Sequence, residues 1–129
     1  MEKKLDLTQA EWLLMEQLWT QSPQTGRELT CTMQAQTGWS RSTTLTLLRR
    51  LAEKGAVRYE DSGSVRTFFP SITRERAAVR QTRDLLGRVY HGSLSMLVSA
   101  MTREEALPQE EIDELYALLN EMEAKKRRD

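Results

Sequence analysis

One cysteine and one histidine occur in 129 residues. A lone thiol, Cys31, cannot close an internal disulfide or build a cysteine metal cluster, so a reducing, cytoplasmic location is the expectation. The single histidine, His91, follows Tyr90 in a break between helical patterns. A zinc site or catalytic triad would need partners for it, and no G-x-S-x-G, H-E-x-x-H or phosphate-loop pattern occurs. His91 is therefore read as a surface or helix-end residue. No apolar run approaches the roughly 18 residues that span a membrane. The opening "MEKKLDL" carries two lysines but no apolar stretch, so it is not expected to be a secretory signal, and Lys3 and Lys4 read as a basic end. With no paired acid and base, nucleophile or cofactor loop, an enzyme is not expected. Nor is a cofactor, a metal or a small-molecule substrate.

Net charge is also absent, with 19 basic against 19 acidic side chains. Its distribution is uneven. Residues 27–88 hold 12 Lys/Arg and 6 Asp/Glu, whereas residues 104–123 hold 8 Asp/Glu and no Lys/Arg. A basic first part and an acidic later part suggest two tasks in one chain.

What is present is mainly helical. Thr8 and Glu11 form a capping box for a helix over 9–21, with Leu7 and Trp12 placed as a hydrophobic staple. Trp12, Met15, Leu18 and Trp19 follow helical spacing and are expected to be buried. After the break "SPQTG", Thr25 and Glu28 form a second capping box, opening a helix to about Gln36. Leu29 and Met33 are its apolar residues, and Cys31 is read as a buried, inert thiol. Gly38 supplies a left-handed end, Ser40 caps a third helix and Gly55 closes it. "AVRYE" and "VRTFF" flank the polar loop "DSGS", residues 61–64, and read as a hairpin stopped by Pro70. Three helices followed by a hairpin is the order of a winged helix-turn-helix.

In the third helix Thr44, Leu47, Leu48 and Leu51 lie at i, i+3, i+4 and i+7 and make the buried stripe. Ser42, Thr43, Leu45, Thr46 and Arg49 then face outward, flanked by Arg41 and Arg50. Taken alone this would be a surface helix with a cap and scattered charge. Behind two helices and before a hairpin, it is expected to enter a DNA major groove. Hydroxyls there can bond bases or phosphates, and the exposed Leu45 would contact a thymine methyl. Arg58, Arg66 and the tip residues Ser62, Gly63 and Ser64 suit phosphate or minor-groove contact. Ser22, Thr25 and Arg27, at the start of the second helix, suit a phosphate.

Beyond Pro70 the pattern changes. Helices are expected over 74–90 and 94–102, and from Pro108 to about Lys125. They carry more apolar surface than one small lobe can bury. The expectation is a dimerisation arm that uses Leu85, Leu86, Val89, Leu94, Leu97, Val98, Met101, Ile112, Leu115 and Leu119. The alternative is that these helices fold back on the N-terminal lobe. "KKRR" at 125–128 reads as a solvated helix end.

"LTQAEWLLMEQLW", "GWSRSTTLTLLRRLAEKGAV", "YEDSGSVRTFFP" and "HGSLSMLVSAM…LPQEEIDELYALL" resemble, in unbroken order over about residues 5–120, the penicillinase-repressor family of the BlaI/MecI/CopY type. The resemblance implies a homodimeric repressor with winged-helix domains on a helical dimer module. It is closer to the β-lactam branch, because the paired Cys-x-Cys motifs of the copper branch are missing and a soft metal needs those sulfurs. In the β-lactam branch a membrane sensor-protease cuts the arm at an Asn-Phe bond. The aligned bond here is Ala100–Met101, so neither scissile residue matches. Relatives often carry a basic residue where Leu45 stands, and Arg after the wing glycine where this chain has Ser64.

The resulting expectation is a mainly α chain with a small β-hairpin wing. Residues 5–72 form the winged helix, 73–124 the dimerisation arm and 125–129 a basic tail. It would bind a pseudo-palindromic operator as a homodimer, with a sensor-protease acting on the arm as the route of release. The rival reading is a winged helix used for protein contacts in a transcription complex, without specific DNA binding.

Overall fold

The computed structural model describes residues 5–104 and 106–128, so Lys3, Lys4 and the last residue of the tail lie outside the described part. Compactness divides the chain into two units, the first ending at Leu85 and the second beginning at Leu86.

Helix α1 (Gln9–Thr20) starts at the Thr8–Glu11 capping box, in which both reciprocal hydrogen bonds are formed. Its buried residues are Glu11, Leu14, Met15 and Leu18. Trp12 and Trp19, expected inside, are only half-buried. They meet edge to face at 5.0 Å along the border of the core. Large rings with a polar N–H suit such a border: Trp19 Nε1 donates to the Ile72 carbonyl at 2.9 Å and pins the chain beyond the wing.

Strand β1 (Gln24–Thr25) and helix α2 (Gly26–Thr37) follow. The Thr25–Glu28 capping box is present, and Gly38 ends α2 with φ +78°, a left-handed value that a side chain would resist. Leu29, Thr30 and Met33 are buried. Cys31 is exposed rather than buried. It stands two residues from Leu29, about 200° round the helix, which turns it to the other side. Ser40 caps α3 (Arg41–Glu53), whose buried residues are Thr44, Leu47, Leu48 and Leu51, as the spacing predicts.

Strands β2 (Val57–Ser62) and β3 (Val65–Pro70) form the hairpin. Ser62 pairs with Val65, so the loop is a two-residue turn and not the four-residue loop expected. Gly63, at φ +64°, supplies the conformation such a tight turn needs. β1 adds to the other edge of β3, giving the order β1-β3-β2. Helices and hairpin share one core, in which Leu5, Leu14, Met15, Leu18, Leu29, Met33, Leu48, Leu51 and Phe68 are buried. Each such side chain contributes roughly 1.5–3 kcal/mol.

Helix α4 (Arg74–Val89) begins at Thr73, whose Oγ1 accepts from the Arg76 N–H, and it carries the division between the two units. Ala77 is its buried residue. At the "YHGS" break, His91 and Gly92 take positive φ values of 53° and 83°. The second unit continues with α5 (Leu94–Glu104) and α6 (Gln109–Arg128). Its last helix thus runs on through "KKRR". No described residue of α5 or α6 is buried.

Candidate nucleic-acid interface

Helix α3 is held by its buried stripe against α1 and α2, and it leads straight into the hairpin. Its other side forms one wall of an open trough of about 1450 Å³. The start of α2 forms the second wall, and one face of the hairpin the third. Of the residues expected at DNA, Thr25, Arg27, Arg41, Leu45, Thr46, Arg49, Ser64 and Arg66 line this trough. Ser42, Thr43, Arg50 and Arg58 are exposed but lie outside it.

Helical geometry explains the split along α3. Arg41, Leu45 and Arg49 stand at i, i+4 and i+8 and share one stripe above the trough. Thr43 and Arg50 lie roughly 160° and 140° round the helix from Leu45, at the centre of that stripe. At the N-terminus Ser40 Oγ accepts from the Thr43 N–H at 3.2 Å. It also lies 3.0 Å from Thr43 Oγ1 and 3.2 Å from Ser42 Oγ. These hydroxyls therefore serve the cap and one another first. Leu45 is 38% exposed. A Cβ placed on Gly26 would stand 3.8 Å from Leu45 and 3.5 Å from Phe68, so Leu45 rests beside the start of α2 and the floor of the trough.

Strand alternation explains the split along the hairpin. Paired residues share a face and neighbours alternate. Arg58 pairs with Phe69 and Asp61 with Arg66. Arg66 therefore shares the trough face with Tyr59, Asp61 and Phe68, while Arg58 shares the outer face with Glu60 and Phe69. The two wing arginines expected at phosphate or the minor groove thus stand on opposite faces of the hairpin. The contacts agree: the Arg58 guanidinium lies 4.1 Å over the Phe69 ring and 3.2 Å from Glu60. Arg66 lies 4.0 Å over the Tyr59 ring. Its Nε and Nη2 donate to both Asp61 oxygens at 2.7 and 3.1 Å. The hydrogen bonds from Arg66 hold the Asp61 carboxyl below its ordinary range, and the same bonds raise Arg66.

Electrostatically the trough is basic, with Arg27, Arg41, Arg49 and Arg66 against Glu53. At the start of α2 the Thr25 N–H donates to Glu28 Oε1 at 3.0 Å. That backbone bond, and then the Thr25 hydroxyl, hold the Glu28 carboxyl below its ordinary value. A capping carboxylate thus already answers one of the amides expected to meet a phosphate. The sequence reading missed Tyr59 and Phe68 as the trough's aromatic floor, 5.9 Å apart. It also missed Asp61 as the partner of Arg66. Their even spacing along two paired strands was the available signal. Among the described residues, no group of three His, Cys, Asp or Glu is placed to hold a metal ion, and no helix is long and apolar enough to cross a membrane.

The ten residues expected at a dimer contact are all open to solvent to some degree. Leu85, Val89, Leu94, Met101 and Leu119 are exposed, and Leu86, Leu97, Val98, Ile112 and Leu115 are half-buried. The Ala100–Met101 bond lies within α5.

The family model described as penicillinase repressor matches residues 7–121. The penicillinase repressor of Bacillus licheniformis is 30% identical over 127 residues, covering 98% of this chain and 99% of that protein. The methicillin resistance regulatory protein MecI of Staphylococcus aureus (strain N315) is 26% identical over 118 residues, covering 92% of this chain and 96% of that protein. Among solved structures, the DNA binding domain of the repressor BlaI is similar with a TM-score of 0.54 at 29% identity, covering 59% of this chain and 93% of that chain. The Bacillus licheniformis BlaI monomeric form in complex with the blaP half-operator gives a TM-score of 0.51 at 29% identity and the same coverage.

Proposed function

This chain belongs to the penicillinase repressor family, and we propose that it is a DNA-binding repressor acting as a homodimer on a pseudo-palindromic operator. The family is one of repressors, not enzymes. One observation carries the reading: four arginines surround the exposed Leu45 in a single trough between α3 and the wing. In this reading the stripe of Arg41, Leu45 and Arg49 reads base edges in the major groove, with Thr46 beside it. Thr43 and Arg50 meet the groove's other side, and Ser42 lies between them and the stripe at the start of the helix. Arg66 and Ser64 engage a phosphate from the wing, and Thr25 and Arg27 engage one from the start of α2. Arg58, on the outer face, reaches DNA only where the wing lies edge-on to the duplex.

One module on DNA binds weakly, at the non-specific scale of about 10⁻⁴–10⁻⁶ M. Linking two modules makes the second contact intramolecular and raises avidity by about 10²–10⁴. The solvent-open apolar residues of α4, α5 and α6 supply the link, since exposed patches of this kind mark association surfaces. Any event that separates the two copies then releases the operator. A membrane sensor-protease acting on α5 is the proposed event, and the helical Ala100–Met101 bond must unwind locally before it is cut.

Selection of bound duplexes from random DNA with the full chain tests the reading. The expected result is a two-fold site whose half-site centres lie about one helical turn, or a multiple, apart. No enriched sequence, with binding insensitive to salt, would instead identify a protein-contact module. Sedimentation of the free chain as a monomer at micromolar concentration would remove the homodimer. An intact, still dimeric chain after induction with its cognate sensor would remove cleavage.

A further inference from the structure

We propose that Asp61 is a built-in competitor for the wing arginine: its carboxylate occupies the guanidinium fork of Arg66 and must be displaced before a DNA phosphate can take that place. This rests on the DNA reading above and names a residue that tunes it.

The geometry carries the argument. Arg66 meets Asp61 through two parallel bonds, Nε to Oδ1 at 2.7 Å and Nη2 to Oδ2 at 3.1 Å. A guanidinium recognises a carboxylate and a phosphate with this same fork, so the two anions exclude each other there. The plane of the fork is set from behind, because Arg66 lies 4.0 Å over the Tyr59 ring. Asp61 and Arg66 are direct cross-strand partners one pair from the turn. The backbone therefore keeps the carboxylate beside the arginine even when a phosphate arrives. Both side chains are half-exposed, at 53% and 50%, so the exchange is open to solvent and to a ligand. Arg66 lines the trough with Arg41 and Arg49, and Asp61 is the anion held against it. The wing thus gives less to bare phosphate than its arginine suggests, and leaves a larger share of the affinity to the base-reading face of α3.

An exposed pair is worth little, so the effect is modest but measurable. Binding of the full chain to a random-sequence duplex is measured across a salt series for wild type, Asp61→Asn, Arg66→Ala and the double variant. Asp61→Asn is expected to tighten binding about two- to fivefold. It should also steepen the dependence of log K on log salt by up to about one unit. In the Arg66→Ala background the same change should do little, because the fork it guards is gone. Weaker binding by Asp61→Asn would show instead that the carboxylate positions Arg66 for DNA, and would overturn the proposal. An undiminished gain in the Arg66→Ala background would reduce it to general charge and overturn it as well. If the wild-type chain binds no duplex at any salt, the DNA reading and this inference fall together. If it binds in a salt-dependent way and Asp61→Asn has no effect, this inference falls alone. Matched thermal unfolding of the four proteins confirms that each is folded.

Discussion

Lys54 Nζ lies 2.7 Å from Glu11 Oε1, which ties the end of α3 to the first turn of α1. Lys54 also donates to the Asp6 carbonyl. Glu11 is 1% exposed, and its Oε1 also accepts from the Thr8 N–H at 3.0 Å. One carboxylate therefore caps α1 and fixes the helix that carries the proposed DNA contacts.

The pair predicts a pH dependence. Burial pushes the Glu11 carboxyl up, but the bonds from Lys54 and from Thr8 outweigh it, and the net shift is downward from 4.5. A depressed carboxyl contributes stability that is present above its unfolded value and lost as pH falls through the folded one. Lys54→Met removes the partner and leaves a buried charge, at a cost of about 3–5 kcal/mol near neutral pH. As pH falls through the folded value of Glu11, which lies below 4.5, the carboxylate is neutralised in both proteins and the difference should shrink. Urea unfolding across pH 3–8 measures both, and a pH-independent difference would assign the loss to lysine packing alone.

Thr44 predicts the opposite sign. Its side chain is fully buried on the inner stripe of α3, and its Oγ1 is among the buried polar atoms without a hydrogen-bond partner. Burying a hydroxyl without a partner costs about 1–3 kcal/mol. Thr44→Val keeps the branched shape and removes that cost, so the midpoint of chemical unfolding should rise by an amount equivalent to about 1 kcal/mol. A lower midpoint would mean that the hydroxyl is satisfied in solution.

Much of this fold was legible because its signals are local. The Thr8–Glu11 and Thr25–Glu28 boxes, the Ser40 cap and the Thr44/Leu47/Leu48/Leu51 stripe each need only a few neighbouring residues. β1 was not legible, because Gln24 and Thr25 have no strand pattern and are extended through their pairing with Phe68 and Thr67. Trp12 and Trp19 were placed too deep because spacing gives the face of a helix but not how much of a large ring that face can cover. Cys31 was misplaced for a simpler reason: with Leu29 and Met33 inside, residue 31 falls on the other side. The wing arginines could have been separated from sequence alone. In an antiparallel hairpin closed by an even-numbered loop, positions 58 and 66 face opposite ways. What needed the structure was the assembly of Arg27, Arg41, Arg49 and Arg66 into one trough, since they come from three separate elements.

Leu45 predicts a change of preference rather than of overall affinity. It stands between Arg41 and Arg49 on the trough stripe and makes no charge contact of its own. Leu45→Ala should lose the apolar contact with a thymine methyl. Selection profiles of wild type and variant should then differ at one position of each half-site by about 1 kcal/mol, with the salt slope unchanged. Identical profiles would remove Leu45 from direct readout.

Arg49 and Arg58 make the sharpest contrast, because each is an exposed arginine and only Arg49 lines the trough. Arg49 lines the trough, whereas Arg58 sits on the outer hairpin face against Phe69 and Glu60. If DNA occupies the trough, Arg49→Ala should weaken binding on every sequence and lower the magnitude of the salt slope by about one unit. Arg58→Ala should leave that slope unchanged. Fluorescence anisotropy with one operator and one random duplex over a tenfold salt range separates the two. A loss of slope with Arg58→Ala but not with Arg49→Ala would move the DNA to the outer face of the wing. Equal losses would place the hairpin edge-on in a groove, with phosphates on both sides of it.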